Sequence, residues 1–252
     1  RHLSTNRVWL NDGTGVLTDS HQAIGSTFSR RGGALGDVDG DLDLDAYVPT
    51  DSSSGANELY RNNGAGVFTN SGQVLGSYFS RAVALGNVDN DGDLDAMIGN
   101  NGANKLWKNN GAGIFTDSGQ TVGTRGTFDV ELGDLDGDTD LDVWFANGST
   151  SGDPDEVWLN DGLGNFTNSG QQIGNDFSFS VVLFKCDGDN DLDAFVGNNT
   201  GQPNRLYLNN GSGVFSDSGQ DLGIGGAISA AARDLDGDLD LDLFLANNTQ
   251  PE

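Results

Sequence analysis

The chain is poor in residues that staple or catalyse, with one cysteine, two histidines and four prolines among 252 residues. A single thiol, Cys186, can form no internal disulfide, so something else must hold the fold. His2 and His21 supply no histidine-based metal or acid–base motif, and no nucleophile elbow occurs. No uninterrupted apolar run exceeds four residues, so neither a membrane-spanning helix nor a signal peptide is expected. Basic residues are scarce as well, 12 against 38 acidic ones, for a formal net charge of -26. A surface of that sign repels phosphate, so nucleic acid is not an expected partner. The acidity does not mean disorder, because four Trp, four Tyr and thirteen Phe are too many aromatics for a solvated tail. The length suffices for one large all-β domain or two smaller ones with a substantial core.

Only four of the acids are glutamate (Glu58, Glu131, Glu156 and Glu252), and most of the aspartates gather in five short runs. These read GDVDGDLDLDAYV from Gly36, GNVDNDGDLDAMI from Gly86, GDLDGDTDLDVWF from Gly133, FKCDGDNDLDAFV from Phe184 and RDLDGDLDLDLFL from Arg233. Aligned on their second residue they start at 37, 87, 134, 185 and 234. An aromatic residue keeps nearly the same step at Trp9, Tyr60, Trp107, Trp158 and Tyr207, as does a turn glycine at Gly13, Gly64, Gly111, Gly162 and Gly211. This is a five-fold repeat of about 49 residues, in the range of propellers and solenoids.

Within each repeat, segments such as LNDGTGVLTDS and RNNGAGVFTNS set Asn-Gly or Asp-Gly between two apolar stretches, which reads as a β-hairpin. A short strand of small apolar residues, such as Ala82 to Leu85, precedes each Asp run, and another, such as Leu243 to Leu245, follows it. No window keeps a helical period. Four short strands per repeat, arranged radially with the small-residue strand innermost, make a β-propeller. The chain opens with the hairpin strands and ends with the other two kinds, so both termini together would complete one blade. The expectation is a closed five-bladed β-propeller of four-stranded blades, one domain over residues 1–252.

Inside a run Asp recurs at positions 1, 3, 5, 7 and 9, with Gly or Asn at position 4. Carboxylates and a carbonyl around one point form an all-oxygen cage, which suits Ca2+; Mg2+ prefers its water, and Zn2+ calls for His or Cys. An EF-hand is excluded, because position 12 holds Val48, Ile98, Phe145, Val196 and Leu245 instead of an acid. An isolated Asp run is often a solvated turn. Five in register, each between apolar strands, would repel themselves severely without a counter-ion.

These D-x-D-x-D-x-D-x-D loops, preceded by Ala-Leu-Gly and followed by Leu-Asp and an apolar strand, resemble the FG-GAP/VCBS repeats of integrin α-subunit propellers and many secreted bacterial proteins. The resemblance implies calcium bound by the side chains of Asp37, Asp39, Asp41 and Asp45 with the carbonyl of Asp43. It implies the same for Asn87, Asp89, Asp91, Asp93 and Asp95; for Asp134, Asp136, Asp138, Asp140 and Asp142; and for Asp234, Asp236, Asp238, Asp240 and Asp242. Two departures stand out. The family usually has Gly at position 6, which only Gly92 matches; Leu42, Thr139, Asn190 and Leu239 hold the others. In the fourth loop Lys185 takes position 1 ahead of Asp187, Asp189, Asp191 and Asp193, so four calcium sites are expected and that loop is read as empty or weakly filled, with the ammonium paired to Asp187, Asp189 or Asp193.

In the family the loops lie opposite the face usually used for partners. The function expected is a calcium-stabilised binding or adhesion module, extracellular or on the cell surface, monomeric and not inserted in a membrane, for a glycan or a protein. Its candidate contacts are Arg30, Tyr78, Arg81, Arg125, Phe177 and Gln202. The recurrent Gln22, Gln73, Gln120, Gln171 and Gln220 either contact the ligand or bond turn backbone between blades. The alternatives are a scaffold with no ligand of its own, or the propeller domain of a polysaccharide-degrading enzyme. Catalysis is not expected, since Glu58 and Glu156 read as solvated carboxylates in variable loops.

Overall fold

The computed structural model describes residues 6–25, 32–52, 55–148, 152–199 and 201–247. It contains twenty strands and, among the described residues, no helix, hence none long and apolar enough to cross a membrane. A hairpin, β1 (Asn6–Asn11) and β2 (Leu17–Ile24), comes first. Four four-stranded sheets follow: β3 (Ala34–Gly36), β4 (Asp45–Val48), β5 (Glu58–Asn62) and β6 (Phe68–Asn70); then β7 (Ser80–Gly86), β8 (Asp95–Asn100), β9 (Lys105–Lys108) and β10 (Thr116–Thr121). The next two are β11 (Thr127–Gly133), β12 (Asp142–Asn147), β13 (Glu156–Asn160) and β14 (Phe166–Asn168), and β15 (Ser178–Phe184), β16 (Asp193–Asn198), β17 (Arg205–Leu208) and β18 (Ser216–Asp217). A last pair, β19 (Ala227–Arg233) and β20 (Asp242–Asn247), ends the array. All pairings are antiparallel, and each Asp run turns the first strand of a sheet into the second.

The sheets stack face to face. Met97 and Leu106 meet Val130 and Phe145 in one interlayer, and Trp144 and Val157 meet Val181 and Tyr207 in the next. The second strands β8, β12 and β16 are therefore buried at every position, covered by a neighbouring sheet on each side. Their glutamine neighbours lock the stack: Gln73 Nε2 donates to Gly113 O at 2.7 Å while its Oε1 accepts from Phe115 N at 2.9 Å. Gln22, Gln120 and Gln171 repeat this with Gly66 and Phe68, Gly164 and Phe166, and Gly213 and Phe215. These four side chains serve the backbone of the next hairpin, and the ligand-contact alternative for them is set aside.

The first strands β3, β7, β11, β15 and β19 all line one cavity of about 810 Å3. The array is thus propeller-like about a common axis. At its two ends, however, β1–β2 and β19–β20 are separate two-stranded sheets. Trp9 is 56% exposed where Trp107 and Tyr207 are 8% and 6%, and Phe244 is 66% exposed where Trp144 and Phe195 are fully buried.

His21 stands where the other repeats have Gly72, Gly119, Gly170 and Gly219, and it shares their left-handed backbone, with φ 59°. A Cβ is unfavourable there, whereas glycine adopts the conformation freely at some cost in unfolded-chain entropy. His21→Gly is expected to stabilise the protein by about 0.5–1 kcal/mol, read as a small rise in melting temperature.

Candidate metal centres and the opposite face

Each Asp loop is built by its own carboxylates. At position 1, Asp37 Oδ1 accepts from Gly40 N at 2.8 Å and its Oδ2 from Leu42 N at 3.0 Å. Asp134 and Asp234 bind Gly137 and Thr139, and Gly237 and Leu239, in the same way. That grip explains the missing glycines: Leu42, Thr139 and Leu239 adopt φ 73°, 79° and 79°, the left-handed conformation that Gly92 also takes. A β-branched or bulky residue at such an angle is strained by about 1 kcal/mol or more, and surrounding bonds must hold it there.

At position 9 the carboxylate is a staple. Asp45, Asp95, Asp142 and Asp193 are completely buried; Oδ2 accepts from the position-2 amide, and Oδ1 from the hairpin amides of Asn62, Asn109, Asn160 and Asn209 at 2.8–2.9 Å. Burial pushes Asp95 and Asp142 up to about 6 despite these bonds. The hairpin asparagine also reaches the preceding sheet's loop, Asn109 Nδ2 to Val38 O and Asn160 Nδ2 to Val88 O, both at 2.7 Å. Position 7 points elsewhere: a Cβ on Gly64, Gly111 or Gly162 would lie 2.5–2.6 Å from the carboxylates of Asp43, Asp93 or Asp140. This orientation leaves the position-7 carbonyl, not the side chain, for a ligand role.

The structure brings together one oxygen each from Asp37, Asp39 and Asp41, from Asp134, Asp136 and Asp142, and from Asp234, Asp236 and Asp242, within 4.8 Å of one another. Asp41, Asp91, Asp138 and Asp238 at position 5 each accept the position-7 amide, from Asp43, Asp93, Asp140 and Asp240. In the second loop Asn87 replaces the first acid, and among the described residues Asp89, Asp91, Asp93 and Asp95 form no such converging group. Whether these donors suit a hard cation is answered by orphaned oxygens: Asp39 Oδ1, Asn87 Oδ1 and Asp89 Oδ1 are buried without a hydrogen-bond partner. Arg61 and Lys108 hold the second oxygens of Asp39 and Asp89. Buried acceptors without donors are costly, and an all-oxygen donor set with spare lone pairs fits calcium.

The fourth loop differs. Without a position-1 acid, Asn190 does not take the left-handed conformation found at Leu42, Thr139 and Leu239, and Asp187, Asp189, Asp191 and Asp193 gather as one group of four. The expected ion pair is not seen: Lys185 is exposed, and among the described residues no ion pair joins it to Asp187, Asp189 or Asp193.

Since every first strand ends in an Asp loop, its opening residues lie at the opposite end of the channel. There Phe128 and Phe179 open β11 and β15, with Phe177 just before. Ring centroids are 4.8 Å apart for Phe128–Phe177, 5.3 Å for Phe128–Phe179 and 5.0 Å for Phe177–Phe179. The Arg81 guanidinium sits 4.2 Å above Phe128, a cation–π contact. Tyr78 and Phe79 add exposed rings, 39% and 43% accessible. Of the predicted contacts, Tyr78, Arg81 and Phe177 therefore share this end, and Phe128 and Phe179 join them. Gln202 supports rather than faces a ligand, its Oε1 accepting from Phe177 N at 2.9 Å. Arg125 is engaged by Glu156 at 2.9 Å and Asp153 at 3.1 Å. Arg30 lies outside the described residues. Glu58 and Glu156 are strand residues instead of solvated loop acids, and Trp158 Nε1 donates to Glu156 at 3.2 Å.

Compared with known proteins, residues 87–145 and 185–245 match the FG-GAP-like repeat, so the chain carries such repeats. No curated protein matches the chain in sequence. Among solved structures, a lectin of Agrocybe aegerita described as recognising non-reducing terminal N-acetylglucosamine aligns with a TM-score of 0.63 and 20% identity, over 95% of this chain and 68% of the lectin. The Photorhabdus luminescens Tc holotoxin pore aligns with a TM-score of 0.43 and 17% identity, over 95% of this chain and 12% of its own.

Proposed function

We propose, for a chain that carries FG-GAP-like repeats, that it is a calcium-stabilised binding module that takes a glycan on the face opposite the Asp loops. The observation that carries this reading is the three-ring phenylalanine cluster with Arg81 at the channel mouth. Aromatic faces bury the apolar side of a sugar ring well, and partly exposed clusters of this kind mark interaction sites. The similar fold of a lectin supports a glycan ahead of a protein ligand. The calcium ligands are those implied at positions 1, 3, 5, 7 and 9 of the first, second, third and fifth loops, an arrangement favoured outside the cell, where the ion is abundant. Catalysis has no support from Glu58 or Glu156, whose positions are structural. A glycan array probed with the calcium-loaded protein tests the reading; loss of binding in Phe128→Ala is expected, and a blank array would overturn it.

We also infer that the two end sheets join into a fifth blade of one closed, monomeric domain. In complete sheets the second and third strands pair as Ala96↔Trp107, Met97↔Leu106 and Ile98↔Lys105. Transferred to β20 and β1, the register is Leu243↔Trp9, Phe244↔Val8 and Leu245↔Arg7. The same transfer gives Gln220 its missing partners, Gly15 O and Leu17 N, and gives Asp242 Oδ1 the amide of Asn11. Val8→Cys with Phe244→Cys, in a Cys186→Ser background, is expected to oxidise to an internal disulfide, since paired residues of antiparallel strands lie within bridging distance. Failure to bridge, or bridging only between molecules, would refute closure.

A further inference from the structure

The cavity on the axis is walled mostly by alanine, valine and leucine, such as Val83, Leu132 and Val182, and its lining includes three charged residues, Arg81, Asp129 and Glu131. Arg81 is at the rim, stacked on Phe128. The two acids come from one strand, β11. At the position of Glu131 the other first strands have Ala34, Ala84, Val182 and Ala231, so the carboxylate is peculiar to this blade and no product of the repeat. Both oxygens of Asp129 are engaged, Oδ1 accepting from Val130 N at 3.0 Å and Oδ2 from Val181 N at 3.1 Å. Glu131 is half-buried, and among the described residues no hydrogen bond or ion pair engages its carboxylate; burial, and secondarily the Asp129 charge, push it up to about 7.

Resting on the glycan reading above, we propose that the axial cavity is the sugar subsite and that it selects a glycan bearing a free amino group. A volume of about 810 Å3 lies in the ordinary range for small-molecule pockets and admits a pyranose ring. The phenylalanine mouth stacks on the apolar face of the sugar, and an ammonium group placed beside Glu131 meets its carboxylate, with the Asp129 charge on the same strand, in partly desolvated surroundings where such attraction is strong. An acetylated nitrogen carries no charge and leaves Glu131 unpaired. The net charge of -26 adds long-range attraction for a cationic glycan without giving it an address. The address is Glu131.

Titration calorimetry of the calcium-loaded protein at 0.15 M salt, with a glucosamine trimer and its fully N-acetylated counterpart, tests this. The amino trimer is expected to bind at least tenfold more tightly, with Glu131→Gln abolishing the preference and leaving the melting temperature within a few degrees. Equal affinity for the two trimers, or an undiminished preference in Glu131→Gln, would overturn the amino-sugar assignment while leaving glycan binding intact, the second outcome assigning the attraction to the surface charge alone. Binding of neither trimer, with a blank array, would instead overturn the glycan reading itself.

Discussion

Chelation with EDTA is expected to lower the melting temperature by roughly 20–40 °C. A cation that binds only the folded chain adds about 2.7 kcal/mol per site at a hundredfold excess over Kd, so four loops supply about 10 kcal/mol, as much as the whole stability of many domains. The chain has no disulfide to compensate, its only thiol being Cys186. It also buries one oxygen each of Asp39 and Asp89 without a donor, next to acids that repel them. Melts with calcium and with EDTA, with metal content verified by emission spectroscopy, decide the point. Equal midpoints would show that the loops fold without the ion. Lys185→Asp sharpens the test: the fourth loop already gathers Asp187, Asp189, Asp191 and Asp193, so restoring the position-1 acid is expected to raise the midpoint in calcium and not in EDTA.

The parts of this architecture that were legible in the sequence are those written by backbone chemistry. Asn-Gly and Asp-Gly turns and alternate aspartates placed the hairpins and loops of all five repeats, because few residues tolerate those turns. The left-handed backbone at Leu42 and Thr139 was not legible, since it is imposed by the carboxylates of Asp37 and Asp134 reaching across the loop. The role of Gln73 and its counterparts was legible as one of two alternatives, and the choice between them needed the structure, because their partners lie some forty residues away on the next hairpin. Phe128, Phe179 and Glu131 were missed because an isolated first strand does not reveal which positions face the axis. A column of aligned first strands would have exposed Glu131 among alanines and valine. The separate end sheets had no sequence signal at all, because β1 and β20 carry the same pattern as strands that are paired.

The same column logic singles out Asp155, and Asp155→Asn is expected to stabilise the protein by about 2–4 kcal/mol at pH 8. The other four-stranded sheets hold Asn57, Asn104 and Asn204 at this position, all buried. Asn104 Nδ2 donates to Thr127 Oγ1, which donates onward to Asn147 Oδ1, at 2.9 and 2.8 Å, so every proton has one acceptor. In the next sheet the Ser178 hydroxyl faces two acceptors, Asp155 Oδ2 at 3.2 Å and Asn198 Oδ1 at 3.0 Å, with one proton to give. A neutral Asp155 resolves the conflict by donating to Ser178. Burial, against the opposing bonds from Asn147 N and Ser178, and with Asp176 nearby, accordingly pushes the carboxyl up to about 7. Because the folded value lies above the unfolded one of 3.8, the contribution to stability is complete below pH 4 and is lost as pH rises through about 7. An asparagine does not ionise and can donate to Ser178 at every pH. At constant calcium the melting temperature of Asp155→Asn should exceed that of the wild type by roughly 5–15 °C at pH 8, with the gap narrowing progressively toward pH 4. Coincident midpoints at pH 8 would show that Asp155 remains ionised in the fold without penalty.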